Sequence, residues 1–175
     1  KSLIRSGWKK KIKMSFSAPA IWDVPENSDQ PFPAMNPQNF GNIIHTAFAR
    51  VKKSRDTESV TKKMYDEGLI EKQNISIISQ NIKNSLNLYP LKNIWDLGIH
   101  IIEKEIITKD GNSYRPDRII QHDNTNYLID FKTGEEKNTD AKQILNYAKL
   151  LKELEFSNIE CYLIYTDKQE SKKIN

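Results

Sequence analysis

A single cysteine in 175 residues excludes a disulfide framework, a cysteine-built zinc cluster and a cysteine-ligated iron–sulfur cluster. That residue, Cys161, sits in the apolar run Ile159-Glu160-Cys161-Tyr162-Leu163-Ile164, where a buried strand residue is expected rather than a nucleophile. No apolar stretch approaches the roughly 18 residues of a membrane span, and no signal peptide is visible, so a cytoplasmic protein with no membrane partner is expected. Glycine is scarce, at six residues, and none builds a phosphate-cradling loop with a Walker-type lysine; no internal repeat is present either. What remains is a chain long enough for one domain, or one domain plus an extended arm. Its 27 basic and 23 acidic residues leave a net charge of +4, a bias toward polyanionic partners that also serves solubility. The chain starts at Lys1 rather than Met and is expected to be a piece of a longer protein.

The most informative stretch runs from Tyr114 to Gly134, YRPDRIIQHDNTNYLIDFKTG, two apolar strands around a polar turn. In Tyr127-Leu128-Ile129-Asp130-Phe131-Lys132 a buried-looking run stops at an acid and a base two positions apart, on one face of a strand. A two-residue turn at Asp123-Asn124 pairs His122 with Thr125, and counting back along both strands sets Asp117 opposite Asp130. Opposed like charges in an antiparallel ladder destabilise the pair. A divalent cation held by both carboxylates offsets that repulsion, and hard Mg²⁺ or Mn²⁺ favours such oxygen ligands. The competing arrangement has Asp117 at a frayed strand end and Asp130 capping a turn, both solvated.

Upstream, Lys1 to Lys13 is basic and carries Trp8, and five of the seven prolines fall between Pro19 and Pro37. That density predicts an extended arm over residues 1–37, with Trp22, Phe32 and Phe40 as candidate anchors. Lys9-Lys10-Lys11 is either a solvated run or a nucleic-acid contact. A helix is expected from an Asn36 N-cap and Pro37 to about Ser54, with Phe40, Ile43, Ile44, Ala47, Phe48 and Val51 forming its apolar stripe. Gly41 and His45, four apart, share a face at the edge of that stripe; the glycine admits another chain segment at close range, and the histidine is either a hydrogen-bonded core residue or a ligand. Helices over residues 57–67, ended by Gly68, and 71–88 read as scaffold. A strand over Ile99–Thr108, a turn at Asp110-Gly111 and a returning strand from Tyr114 complete a three-strand meander ending at Lys132. Glu103 and Glu105 share a face of its first strand and either approach the site or meet water. After Gly134, Asn138 or Thr139 caps a helix reaching Glu155, on which Gln143 and Tyr147 lie four apart near the end of the Asp130 strand. Ile159–Thr166 is a final strand, and the charged tail from Asp167 to Asn175 is expected to be mobile.

Helix, three strands, helix, strand, with Arg115-Pro116-Asp117, Asp130-Phe131-Lys132, Gln143-x-x-x-Tyr147 and an upstream Gly41-x-x-x-His45, resembles the RecB-type branch of the PD-(D/E)xK nuclease superfamily across most of the chain. The resemblance implies an α/β fold with a restriction-endonuclease-like core, a mixed central sheet flanked by helices, over residues 38–175. It implies that His45, Asp117, Asp130 and the main-chain carbonyl of Phe131 bind one or two Mg²⁺ or Mn²⁺ ions. Lys132 would orient and activate water, and Gln143 and Tyr147 would lie by the nucleic-acid strand. Where the family often has a glycine shortly before the first aspartate, this chain has Ser113-Tyr114-Arg115-Pro116. The function implied is metal-dependent hydrolysis of DNA, as the nuclease module of a helicase-nuclease in repair and recombination. The alternative is a catalytically silent DNA-binding or docking module on the same fold.

Overall fold

The computed structural model describes residues 13–15 and 37–175, with side chains from residue 39 onward. The Pro-rich stretch, Trp8, Trp22, Phe32, Lys9-Lys10-Lys11 and the Asn36 cap lie outside the described residues, as does nearly all of the expected arm. Phe40, the third candidate anchor, packs half-buried against the core.

The chain is an α/β protein whose centre is a mixed five-stranded sheet covered by helices on both faces. Helix α1 (Pro37–Arg50) leads, followed by α2 (Thr57–Asp66), α3 (Asn74–Leu86) and the single turn α4 (Leu91–Ile94). Strand β1 (Lys13–Ser15) precedes them, and β2 (Ile99–Ile102), β3 (Glu105–Ile107), β4 (Ser113–Tyr114), β5 (Arg118–His122) and β6 (Thr125–Lys132) follow. Helix α5 (Asn138–Glu153), β7 (Ile159–Tyr165) and β8 (Glu170–Ile174) close the chain. In the large sheet the order is β2-β5-β6-β7-β8, with β6 and β7 parallel and the other pairs antiparallel. Helix α5 is the crossover that a parallel pair requires. No helix among the described residues is long and apolar enough to cross a membrane.

Alternation along β6 sorts side chains between two cores. Ile129 and Phe131 face α1 to α4 with Phe48, Val51, Met64, Ile78 and Ile82, and the Phe48 and Phe131 rings stack with centroids 3.8 Å apart. Leu128 faces the other way, with Ile144, Ala148 and Leu151 of α5. Asp130 and Lys132 share the parity of Leu128, so the apolar anchoring of this strand end falls to Phe131.

The expected hairpin register holds: His122 pairs with Thr125 and Arg118 with Ile129. Asp123 and Asn124 adopt left-handed φ values of 45° and 61°, the conformation a two-residue hairpin turn of matching twist requires at both central positions. Asp117 stands one step beyond the last ladder pair, level with Asp130. The first strand of the meander departs from expectation. Ile99–Thr108 breaks at Glu103, whose φ is 42°, and the two halves join different sheets. β3 pairs with β4 across the Asp110-Gly111 turn and with β1 on its other side. Glu103 and Glu105 therefore do not share a strand face; Glu105 accepts a hydrogen bond from Ser113 instead.

Helix bounds shift as well. α1 stops at Arg50, short of Ser54; the carbonyls of Phe48, in its last turn, and of Val51, just past its end, accept from Arg118. α3 starts at Asn74, three residues later than Glu71. Neither Asn138 nor Thr139 caps α5; Asp140, in its first turn, accepts the Lys137 N–H at 3.0 Å. The tail is not mobile: Glu170–Ile174 forms β8 against β7, with Ile174 packed on the α5 core and Lys173 3.1 Å from Glu160. Its charged residues suit an outer edge of the sheet while its pairing with β7 orders its backbone.

Gly41 fulfils its expectation. A Cβ there would meet the Thr133 Oγ1 at 2.7 Å, so α1 crosses the chain just after β6 at a distance only glycine permits. Gly41→Ala is expected to cost about 1 kcal/mol despite alanine's better helix propensity, through overpacking. Thr133→Ala in the same chain should restore most of that loss, and urea denaturation of the two single variants and the double variant measures the coupling.

Candidate functional site

Every side chain singled out as a site residue comes to one end of the large sheet. α1 brings His45, the segment before β5 brings Asp117, the end of β6 brings Asp130 and Lys132, and the first turns of α5 bring Gln143 and Tyr147. The His45 Nδ1–H donates to Asp117 Oδ2 at 3.2 Å. The same oxygen accepts the Phe131 main-chain N–H at 2.8 Å, so the contact Phe131 makes with the carboxylates is through its N–H. Lys132 Nζ lies 2.7 Å from Asp130 Oδ2 and donates to Gln143 Oε1, also at 2.7 Å. Gln143 Nε2 then donates to the Tyr147 hydroxyl at 2.9 Å.

The electrostatics follow from burial. Asp130 keeps only 5% of its side chain exposed, and desolvation, with the Asp117 charge beside it, pushes its carboxyl up to about 6 against the attraction of Lys132 and His45. The repulsion inferred from strand register is thus present in three dimensions. Burial pulls the His45 imidazole down, but its hydrogen bond to Asp117 and the charges of Asp117 and Asp130 outweigh this, leaving it above its ordinary 6.5. Lys132 behaves likewise: burial lowers it, and the pairing with Asp130 lifts it above the usual lysine range. Burial raises the Tyr147 phenol.

The donor set suits a hard divalent cation. Although Lys132 lies at ion-pair distance, Asp130 Oδ2 is buried without a well-directed hydrogen bond, and a second carboxylate stands beside it. Among the described residues no three His, Cys, Asp or Glu side chains converge tightly enough to form a cation cage as they stand. Lys132 lies against the Asp130 oxygen that an ion would take, so coordination there requires it to turn aside; His45 lies against Asp117 Oδ2, the oxygen the Phe131 N–H also holds, which leaves Oδ1 as the Asp117 oxygen for an ion.

Two polar residues of this region were not anticipated. Asp140, buried below Gln143 in α5, accepts the Tyr165 hydroxyl at 3.1 Å and ties the helix start to β7. Arg118 is 1% exposed, stacks its guanidinium 4.3 Å from the Trp95 ring centre, and donates to the Phe48 and Val51 carbonyls at the end of α1. Strand parity carried the signal for Arg118: with Asp117 on the Asp130 side, Arg118 falls on the buried side of Ile129.

No family model matches the chain, and no curated protein matches it significantly in sequence. The functional reading therefore rests on the arrangement of these side chains.

Because Asp130 holds its proton more tightly folded than its ordinary value of 3.8, the ionised folded state is penalised. Stability is then lost as pH rises from about 4 through about 6, and the full cost is present at pH 8. In EDTA at pH 8, Asp130→Asn is expected to melt higher than the wild type, by an amount equivalent to about 3 kcal/mol. The advantage should vanish at pH 4, where both forms are neutral; a scan of melting temperature against pH checks this.

Proposed function

We propose that this chain is a metal-dependent deoxyribonuclease of the RecB-type PD-(D/E)xK class, built on a restriction-endonuclease-like core and hydrolysing DNA phosphodiester bonds with Mg²⁺ or Mn²⁺. The observation that carries the reading is the meeting of His45, Asp117, Asp130 and Lys132 at one sheet end, from three separate chain segments, with Gln143 and Tyr147 alongside. A buried carboxylate, Asp130, repelled by the half-buried Asp117 beside it is costly for a fold and useful for holding a cation. On this reading the chain serves as the nuclease module of a helicase-nuclease, with the motor in the same polypeptide or complex and DNA as the substrate.

Asp117 and Asp130, with His45 in its neutral form, would hold the ion, and a bound divalent cation supplies Lewis acidity and positive charge at a phosphodiester. Lys132 acts as a donor. Both partners it meets, the Asp130 carboxylate and the Gln143 carbonyl oxygen, are acceptors, so it presents an ammonium that orients water or a phosphate oxygen and stabilises charge developing there. The Phe131 N–H fixes one Asp117 oxygen, leaving the other to turn toward a ligand. Gln143 aims Lys132, and Tyr147 orients the Gln143 carboxamide.

A second reading, a catalytically silent DNA-binding module, draws on the same ion pairs: as they stand, His45 and Lys132 already neutralise the two carboxylates. Metal binding separates the two.

Purified protein is expected to cleave DNA with Mg²⁺ or Mn²⁺ and to stop in EDTA, with Asp130→Asn inactive. Cleavage that resists EDTA, or an active Asp130→Asn, would sink the nuclease reading. Lys132→Ala should lower the rate by about 10²- to 10⁴-fold while Mn²⁺ still binds, as read by calorimetry. His45→Ala should melt close to the wild type in EDTA but bind Mn²⁺ more weakly and lose most of its activity. Unchanged Mn²⁺ affinity in that variant would remove His45 from the ligand set.

A further inference from the structure

We propose that Tyr114 is a positioning residue for this site: its ring, carried on the two-residue strand β4, fixes Tyr147 and through it the Gln143 carboxamide that aims Lys132. The inference rests on the nuclease reading for its effect on catalysis, and on geometry alone for the relay itself.

An exposed glutamine on a helix has three rotatable bonds and no preferred carboxamide orientation of its own. Gln143 is tied at both ends. Its Nε2 donates to the Tyr147 hydroxyl at 2.9 Å, which turns Oε1 toward Lys132, where it accepts at 2.7 Å. The amide therefore points usefully only while the Tyr147 ring stays put. Tyr147 is 8% exposed, and Tyr114 meets its ring edge to face, with centroids 6.5 Å apart and planes at 75°. That is the arrangement aromatic quadrupoles favour.

Tyr114 does not belong to the large sheet. It reaches Tyr147 because the chain breaks from that sheet at Glu103, makes the β3–β4 hairpin with Tyr114 opposite Ile106, and rejoins it at Arg118. Only two residues, Arg115 and Pro116, separate Tyr114 from Asp117, so one short segment delivers a carboxylate to the metal side of the site and an aromatic brace to the Gln143 side. The small sheet β1-β3-β4 holds that brace in place. This gives the detour a purpose that an uninterrupted meander would not serve.

Two measurements on the full chain test the proposal. In ¹⁵N-labelled protein the Gln143 side-chain amide resonances are expected to move and broaden in Tyr114→Ala but to stay at their wild-type positions in Tyr114→Phe, since the brace needs the ring and not its hydroxyl. Tyr147→Phe serves as the positive control, because it removes the acceptor. In Mg²⁺-dependent cleavage of an oligonucleotide, Tyr114→Ala should lower kcat by about tenfold to a hundredfold with KM changed less than about twofold, and Tyr114→Phe should restore it. Tyr114→Leu, which keeps apolar bulk without a ring, replaces Tyr114→Ala should the latter fail to fold, and carries the same expectation. An unmoved Gln143 amide in the ringless variant overturns the relay, as does a Tyr114→Phe chain as impaired as Tyr114→Ala. If the wild type cleaves no DNA, it is the nuclease reading that fails, and the amide resonances still decide whether Tyr114 sets the Gln143 orientation.

Discussion

The register between β5 and β6 is the constraint on which the rest depends. Side chains on a strand alternate with a period of two, so a slip of one residue would send Asp130 and Lys132 to the α1 side and Phe131 to the α5 side. The stack of Phe131 on Phe48, the pairing of Lys132 with Gln143 and the closeness of Asp117 to Asp130 would all be lost together. Asp123 and Asn124 set this register locally through their left-handed backbone, and the two cores on either side enforce it from a distance. Local turn chemistry and global packing agree, which is what makes the site specific enough to place charges within a few ångströms of one another.

Around that register, the protein anchors α1 with a buried cation instead of a longer helix. The acceptors Arg118 meets among the described residues are neutral: the Phe48 and Val51 carbonyls and the Nδ1 of His100, at 2.5 Å. His100 can accept there because burial and the Arg118 charge push its imidazole down to about 4, keeping it neutral, while its other nitrogen donates to the Trp95 carbonyl at 2.7 Å. Positive charge at a helix C-terminus is favourable on its own account. Here it also fixes the helix lengthwise, and His45 sits less than one turn from the Phe48 carbonyl that Arg118 holds. Burial draws the Arg118 guanidinium down to about 9, which leaves it charged at neutral pH.

Much of this was legible in the sequence because the deciding signals are local. The Asp123-Asn124 turn, the alternation in Tyr127–Lys132 and the four-residue spacings Gly41 to His45 and Gln143 to Tyr147 each need only a few neighbours to read. The misses share the opposite character. The break at Glu103 is a left-handed, non-glycine backbone that composition does not announce. β8 is ordered by its pairing with β7, and its own residues, Glu170-Ser171-Lys172-Lys173-Ile174, four polar and one apolar, carry no strand signal. Arg118 reads as a solvated neighbour of Asp117 until the face of the sheet is known. Asp140 looks like an ordinary first-turn acid, and its contact with Tyr165 comes from the other end of the β6–α5–β7 crossover.

The charged β8 edge has a consequence for how copies of this chain meet. A sheet ends in two rows of unpaired backbone groups, and each is a template for a strand from another molecule. At β8 that row carries Lys172 and Lys173, drawn onto Glu136 and Glu160, with Lys172 also over the Tyr165 ring, so a like strand approaching it meets like charge before any hydrogen bond can form. At the opposite end of the sheet, β2 carries Ile99, 60% exposed, with no such guard among its four residues. Among the described residues the two edges of the large sheet are therefore unequal: charge opposes the addition of a like strand at β8, and the residues of β2 set no such charge against it.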